Sequence, residues 1–320
     1  MKFDGGTSGG AEAETKAQAL LALLAALEAS GYDFVTPTPS VSRRGLGKAV
    51  GPSAGLRAIF GWSRPFARSD LDPTFLSLLE RAGMLLEEGE LCRSAVRVSR
   101  LAKMLFLHSA FPATGRDAVF LGPDSYRFAR FIAQATTDRR AGSIAEIGCG
   151  AGVGGLVAAR LHLGGRLDLG DINPAALELA QSNAANAGIK ARICQSDGMS
   201  RLDGPYDLIV ANPPYVAGAS GRTYKDGGDM HGARMALDWA GQAAERLTPG
   251  GRFVLYTGSA ILDGGADVLG AALENLAAGF GYRLTYEEID PDIFSGELRR
   301  EAYTDVERIA AVGAVLERPA

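Results

Sequence analysis

From Ala141 onward short apolar runs alternate with helical stretches, and this alternation constrains the fold more than any other feature of the chain. Strands are expected at Ser143–Gly148, Arg166–Ile172, Ala191–Ser196, Tyr206–Ala211, Gly251–Thr257, Tyr282–Ile289 and Arg308–Leu316. Helices are expected at Gly152–Leu161, Pro174–Ala187, Gly232–Leu247 and Ala266–Gly279. Such alternation demands right-handed crossovers and therefore a mostly parallel sheet in an α/β fold. A long polar loop, not a helix, separates the last two runs, which suits an antiparallel closing pair.

The first 140 residues have a different character. Residues 1–10 are rich in glycine and serine and read as a disordered tail. Glu12–Ser30 reads as a helix, with Leu20, Leu21, Leu23, Leu24 and Leu27 on or near one face and Gly31 as its stop. Asp72–Arg81 reads as a short helix capped by Asp72, with Pro73 in its first turn. Met84–His108 then reads as strand, Glu-Gly turn, strand, strand. A helix followed by such a hairpin is winged-helix-like. The expected division is a tail of residues 1–10, a smaller α+β unit over 11–115, and a larger unit over 116–320.

Composition excludes several roles. Cys92, Cys149 and Cys194 are far apart, as are His108, His162 and His231, so no metal site is expected. Unpaired cysteines suit a reducing, cytoplasmic compartment. The longest apolar run, Ala17–Leu27, is about half of what spans a bilayer. The segment before it mixes Lys2 and Lys16 with Asp4, Glu12 and Glu14, unlike a basic leader, so no membrane role is expected. A net charge of −4 argues against a protein that coats nucleic acid. Yet Ser40–Ser69 holds Arg43, Arg44, Lys48, Arg57, Arg64 and Arg68 with no carboxylate. That stretch either tracks phosphates or is a solvated face.

The chemistry gathers at the strand ends. The first strand runs through Glu146 into Gly148-Cys149-Gly150-Ala151-Gly152, where glycines allow a sharp turn and let a ligand lie on bare main chain. Gly150, Gly152 and Gly155 also satisfy the dinucleotide pattern GxGxxG, so this loop alone leaves the ligand open. The second strand ends in Asp171-Ile172-Asn173-Pro174, placing a carboxylate where it can accept ribose hydroxyls. Asp171 can instead cap the following helix, although Asn173 is the better cap. The third ends in Asp197-Gly198, where a carboxylate can accept from an adenine amino group. Three such ends in succession describe a nucleoside site.

The fourth strand ends in Asn212-Pro213-Pro214-Tyr215. A nitrogen on a conjugated group is a poor nucleophile, because its lone pair is delocalised. The Asn212 side-chain carbonyl and the Pro213 main-chain carbonyl can take both hydrogens of an NH₂ group and aim its lone pair. Tyr215 can stack on the planar acceptor. No strong base is required, since the nitrogen becomes acidic only after it is alkylated.

From about Val119 the chain resembles the class I S-adenosylmethionine-dependent methyltransferases that carry this Asn-Pro-Pro-Tyr motif, and among them the glutamine methyltransferases of peptide release factors. The resemblance implies a Rossmann-like seven-stranded methyltransferase sheet with S-adenosyl-L-methionine as cofactor. Glu146, Gly148, Cys149, Gly150, Gly152, Asp171, Ile172, Asp197, Gly198 and Asn212 would hold it, and Asn212, Pro213, Pro214 and Tyr215 would form the catalytic loop. The patch Asp226-Gly227-Gly228-Asp229-Met230-His231-Gly232 is similar to a glycine-acid patch of that family, implying a pocket cap or packing at a helix start. Within it His231 reads as a capping or surface residue rather than an acid–base catalyst.

The sequence departs from that family at Leu121–Tyr126 and at the insertion Glu287–Phe294. The expected activity is methylation of an amide or amino nitrogen on a protein or small molecule. The alternative is an RNA or DNA exocyclic base amine, contacted through Arg43–Arg68. A non-catalytic binding module is a third reading, opposed by the intact loop, carboxylates and motif. A dehydrogenase is excluded, because Asn-Pro-Pro-Tyr has no part in hydride transfer.

Overall fold

The computed structural model describes residues 8–46, 55–138, 140–217 and 227–320. Its larger part is one seven-stranded sheet in the order β10-β11-β9-β8-β5-β6-β7. The strands are β5 (Ser143–Ile147), β6 (Arg166–Asp171), β7 (Arg192–Gln195), β8 (Tyr206–Ala211), β9 (Leu247–Leu262), β10 (Arg283–Asp290) and β11 (Val306–Glu317). β11 runs antiparallel to both β9 and β10, while the β9-β8-β5-β6-β7 pairs are parallel. This is the Rossmann-like α/β sheet with an antiparallel finish.

Order reverses between β5 and β8: from β5 the chain steps outward to β6 and β7, then returns to β8 and builds the other way. Such a switch point opens a crevice at the carboxyl ends of the two central strands. Ile147 pairs with Ala211 at the last rung, so the glycine loop and Asn212 leave the sheet side by side.

The helices of this part are α4 (Pro123–Ala135), α5 (Val153–Leu161), α6 (Pro174–Asn186), α7 (Arg234–Ala244) and α8 (Val268–Phe280). Two of the starts carry a side-chain cap. Asn173 caps α6 by accepting from the Ala175 N–H at 3.0 Å, with Pro174 at the first position. Asp267 caps α8 through the Gly270 N–H. Two helix-covered faces give two cores, one including Leu156, Leu169 and Ala180, the other built on Ile147, Ile209, Ala240 and Leu273.

The amino-terminal part contains α1 (Ser8–Ala29), α2 (Pro39–Leu46), α3 (Pro73–Arg81) and two hairpins. The hairpins are β1 (Leu85–Glu88) with β2 (Leu91–Ser94), and β3 (Val96–Leu101) with β4 (Met104–Ser109). Residues 1–7 of the expected tail lie outside the described residues, and Ser8–Gly10 already belong to α1. Leu20, Leu23, Leu24 and Leu27 are fully buried, whereas Leu21 faces solvent at 37% exposure. Asp72 caps α3 as expected, accepting from Thr74 N–H at 2.8 Å.

The stretch read as three strands holds four. The added turn is Ala102-Lys103, both at positive φ without a glycine to announce it. Helix α4, opened by Gly122-Pro123, also stands where no helix was expected. No described helix is long and apolar enough to cross a membrane.

Candidate active site

The glycine loop is held from below by Glu146. Its two carboxylate oxygens accept from the N–H groups of Gly154 (2.9 Å) and Gly155 (2.8 Å), the opening turn of α5. The side chain is 3% exposed, so the structure gives Glu146, expected among the cofactor contacts, a supporting place beneath the loop. Burial pushes its carboxyl up to about 8, against the pull of those two N–H groups. Cys149 is also turned inward; its thiol is buried and only its main chain borders the crevice.

Gly148, Gly150 and Gly152 all lie at positive φ (62°, 52° and 80°), a conformation that side-chain-bearing residues adopt at a cost. A Cβ on Gly148 would overlap the Trp239 ring. Trp239 and Gln242, three apart on α7, share one face, and the Gln242 carbonyl accepts from Met199 N–H at 2.9 Å. Neither was singled out from the sequence.

At the end of β6, Asp171 ties two segments together: Oδ2 accepts from Gly150 N–H at 2.8 Å and Oδ1 from Asn173 N–H at 2.9 Å. Burial pushes its carboxyl up, while the N–H groups of Asn173, Gly150 and Ile172 pull it down. Each oxygen keeps a further lone pair for a ligand hydroxyl. Ile172 beside it is 52% exposed, an apolar surface at the crevice. Asp197 is exposed at the end of β7, and Gly198 is buried against Gln242. Asn173 caps α6, as the sequence favoured, and its amide also donates to Asp117 O at 3.0 Å.

The Asn-Pro-Pro-Tyr loop leaves β8 beside this cradle. Asn212 is half-buried, and among the described residues its side chain makes no hydrogen bond. Tyr215, by contrast, is anchored. Its phenol donates to Asp124 Oδ2 at 3.0 Å, and Tyr256 of β9 donates to Asp124 Oδ1 at 2.9 Å. Burial and then the Asp124 charge push the Tyr215 phenol well above its usual range. Asp124 is 3% exposed and comes from the Leu121–Tyr126 segment at the start of α4. Arg127, one turn on, contacts Asp124 and bonds Asp290 at 2.7 Å.

The carboxyl-terminal insertion closes over the same loop. The Phe294 ring, at φ 57°, meets Tyr215 edge-on with centroids 5.5 Å apart. The Tyr303 hydroxyl accepts from Ala217 N–H at 2.7 Å. The glycine-acid patch braces the other side: Gly227 N–H donates to Val216 O at 3.0 Å. A Cβ on Gly232 would overlap the Tyr215 carbonyl. Asp226 lies outside the described residues. His231 pairs with Asp305 at 3.0 Å, holding the patch to the chain just before β11, which is a bracing role.

A reversed-order seven-stranded sheet, a glycine loop, acidic second and third strand ends and Asn-Pro-Pro-Tyr on the fourth together define an S-adenosylmethionine-dependent methyltransferase of class I. Residues 127–260 match the family model of the methyltransferase small domain, and S-adenosyl-L-methionine is the cofactor of this enzyme class. The release factor glutamine methyltransferase of Bradyrhizobium diazoefficiens is 28% identical over 258 residues, covering 69% of this chain and 86% of that protein. The ribosomal RNA small subunit methyltransferase C of Serratia proteamaculans is 38% identical over 77 residues, 24% of this chain and only 22% of the relative. The solved 16S rRNA N2 G1207 methyltransferase of Thermus thermophilus superposes with a TM-score of 0.45 at 17% identity, over 90% of this chain and 73% of that one.

The residues present fit the cofactor class. Bound S-adenosylmethionine supplies a methyl group on a sulfonium, ready for in-line displacement. The chain offers half-buried glycine main chain at Gly148 and Gly150 and acceptors at Asp171 and Asp197, at adjoining strand ends.

Proposed function

We propose that the chain methylates the nitrogen of an amide or amino group on a planar acceptor, a protein glutamine or a small molecule. The observation that carries this reading is the contrast within one loop. Tyr215 is fixed by Asp124 while the Asn212 amide, two prolines away, has no hydrogen-bond partner among the described residues. A half-buried polar group with its bonding capacity unspent suits a partner that arrives with donors. Asn212 would accept one acceptor hydrogen and the Pro213 carbonyl the other. The 28% identity to a release factor glutamine methyltransferase, over most of its length, supports the amide version.

Asn212→Ala tests it. Turnover should fall about a hundredfold or more, the usual cost of removing one transition-state hydrogen-bond partner. Affinity for S-adenosylhomocysteine should stay nearly unchanged in calorimetry. Wild-type turnover in this variant would sink the nitrogen reading in favour of an oxygen or carbon acceptor.

A second reading, an exocyclic base amine of RNA, has its own observation. Arg44, Arg64 and Trp62, with Val41 and Gly45, line a cavity of about 100 Å³ in the amino-terminal part. Arginine beside an indole is the chemistry that holds phosphates and stacks bases. Several cations of the basic stretch are partly committed: Arg64 donates Nε–H to Gly45 O at 3.0 Å, Arg57 bonds Asp33 O, and Arg68 bridges Glu80 and Glu87. Lys48 lies outside the described residues. The short match to ribosomal RNA methyltransferases supports this version.

A further inference from the structure

Asn183 sits on the buried face of α6 at 1% exposure, flanked along the helix by Ala176, Ala180 and Ala184, all buried. Its amide reaches two parts of the molecule. Oδ1 accepts from Leu107 N–H at 2.7 Å, and Nδ2 donates to Leu107 O at 3.0 Å and to Ala151 O at 2.9 Å. Leu107 lies on β4, opposite Val98 of β3. Both of its main-chain groups turn away from the hairpin, toward an edge where a third strand would pair. Asn183 supplies the donor and acceptor that such a strand would bring. The third bond goes to the middle of the glycine loop. Because Leu107 offers one donor and one acceptor, the orientation of the amide is fixed by its partners.

A buried amide is costly unless its partners are present, so the strut holds only when hairpin and loop are both in place. The surrounding contacts seat the hairpin there. β4 and α1 both pack on α6, and Lys16 pairs with Glu178 at 2.8 Å. We propose that Asn183 is a positioning residue that couples docking of the β3–β4 hairpin to the conformation of the cofactor loop. The proposal rests on reading Gly148–Gly152 as that loop. Coupling of this kind is reciprocal: a hairpin that steadies the loop for the cofactor is itself steadied when the cofactor binds.

Hydrogen–deuterium exchange on the full chain, with and without saturating S-adenosylhomocysteine, tests it. Residues 96–109 should exchange more slowly in the bound state, together with the loop. Asn183→Ala should bind S-adenosylhomocysteine about tenfold more weakly, the scale of one lost hydrogen bond. At saturation it should keep protection of the loop and lose that of residues 96–109. Wild-type protection confined to the strand ends, or unchanged affinity in the variant, would overturn the proposal. If Asn183→Ala does not fold, the wild-type exchange pattern decides alone. A wild-type chain that binds no S-adenosylhomocysteine overturns the reading of the loop as the cofactor site, and this proposal with it.

Discussion

The Tyr215 phenol donates to Asp124 Oδ2 at 3.0 Å, which fastens the tyrosine of the Asn-Pro-Pro-Tyr loop to the first turn of α4. Asp124 takes a second phenol from Tyr256 and a guanidinium from Arg127, so a carboxylate buried to 3% exposure is well satisfied. The sequence pattern assigns Tyr215 to stacking on the acceptor. The structure gives its hydroxyl an anchoring partner as well.

Tyr215→Phe should therefore cost about 1–3 kcal/mol of stability, because it leaves a buried charge one donor short. Tyr215→Ala should cost about 3–5 kcal/mol by emptying the space against Gly258 and Phe294. Urea unfolding of the two variants measures both. A Tyr215→Phe protein as stable as the wild type would leave the hydroxyl without an anchoring role.

Gly227→Ala should slow turnover at least tenfold while cofactor affinity holds. The added methyl would overlap the Gly232 carbonyl and crowd the Pro214 carbonyl, so the patch must move off the Asn-Pro-Pro-Tyr loop. Steady-state kinetics beside S-adenosylhomocysteine calorimetry separates the two effects, and equal loss of both would move the patch into the cofactor site.

Asp168 makes stability depend on acid. Although burial pushes its carboxyl up, the Arg192 fork at 3.0 Å on both oxygens and the Tyr206 hydroxyl at 2.6 Å hold it below the usual range. The folded state thus binds this proton less readily than the unfolded chain. Its stabilisation is complete above the ordinary carboxylate value and is lost as pH falls through the lower folded value. Asp168→Asn should be less stable at neutral pH and should lose less on acidification. Denaturant midpoints from pH 7 down to pH 3 would show this, and parallel curves would contradict it.

What was legible in the sequence follows from periodicity and from local chemistry. The sheet strands and their helices show because each apolar run ends in a glycine, an acid or a proline, as at Gly148, Asp171 and Asn212-Pro213. The second hairpin turn stayed hidden because Ala102-Lys103 adopts positive φ without a residue that prefers it. The supporting place of Glu146 is not legible in the pattern, because only the folded loop shows its carboxylate taking the Gly154 and Gly155 N–H groups. Asp124, Trp239 and Asn183 gave no signal of their own. Their roles depend on distant partners, Tyr215 and Tyr256 at 91 and 132 residues from Asp124, Gly148 at 91 from Trp239 and Leu107 at 76 from Asn183, brought together by the crossovers.

The basic surface separates the two substrate readings. If Arg43, Arg44 and Arg64 track a phosphate backbone, binding of a short structured RNA should weaken steeply with salt, because each neutralised phosphate releases counterions. Three contacts correspond to a slope in log affinity against log salt of roughly −2 to −3. Arg44→Ala should reduce that slope by about 1, whereas removing a purely solvated arginine leaves it unchanged. Trp62→Ala should act differently: stacking is worth about 1–3 kcal/mol per base and carries no counterion release, so affinity should fall at an unaltered slope. Trp62 also supports the fold, packing edge-on to Phe34 with centroids 5.2 Å apart, so thermal unfolding must accompany the binding curves. Filter binding between 50 mM and 200 mM salt would measure all three proteins. A flat response in the wild type would leave these arginines as a solvated face and favour the amide acceptor.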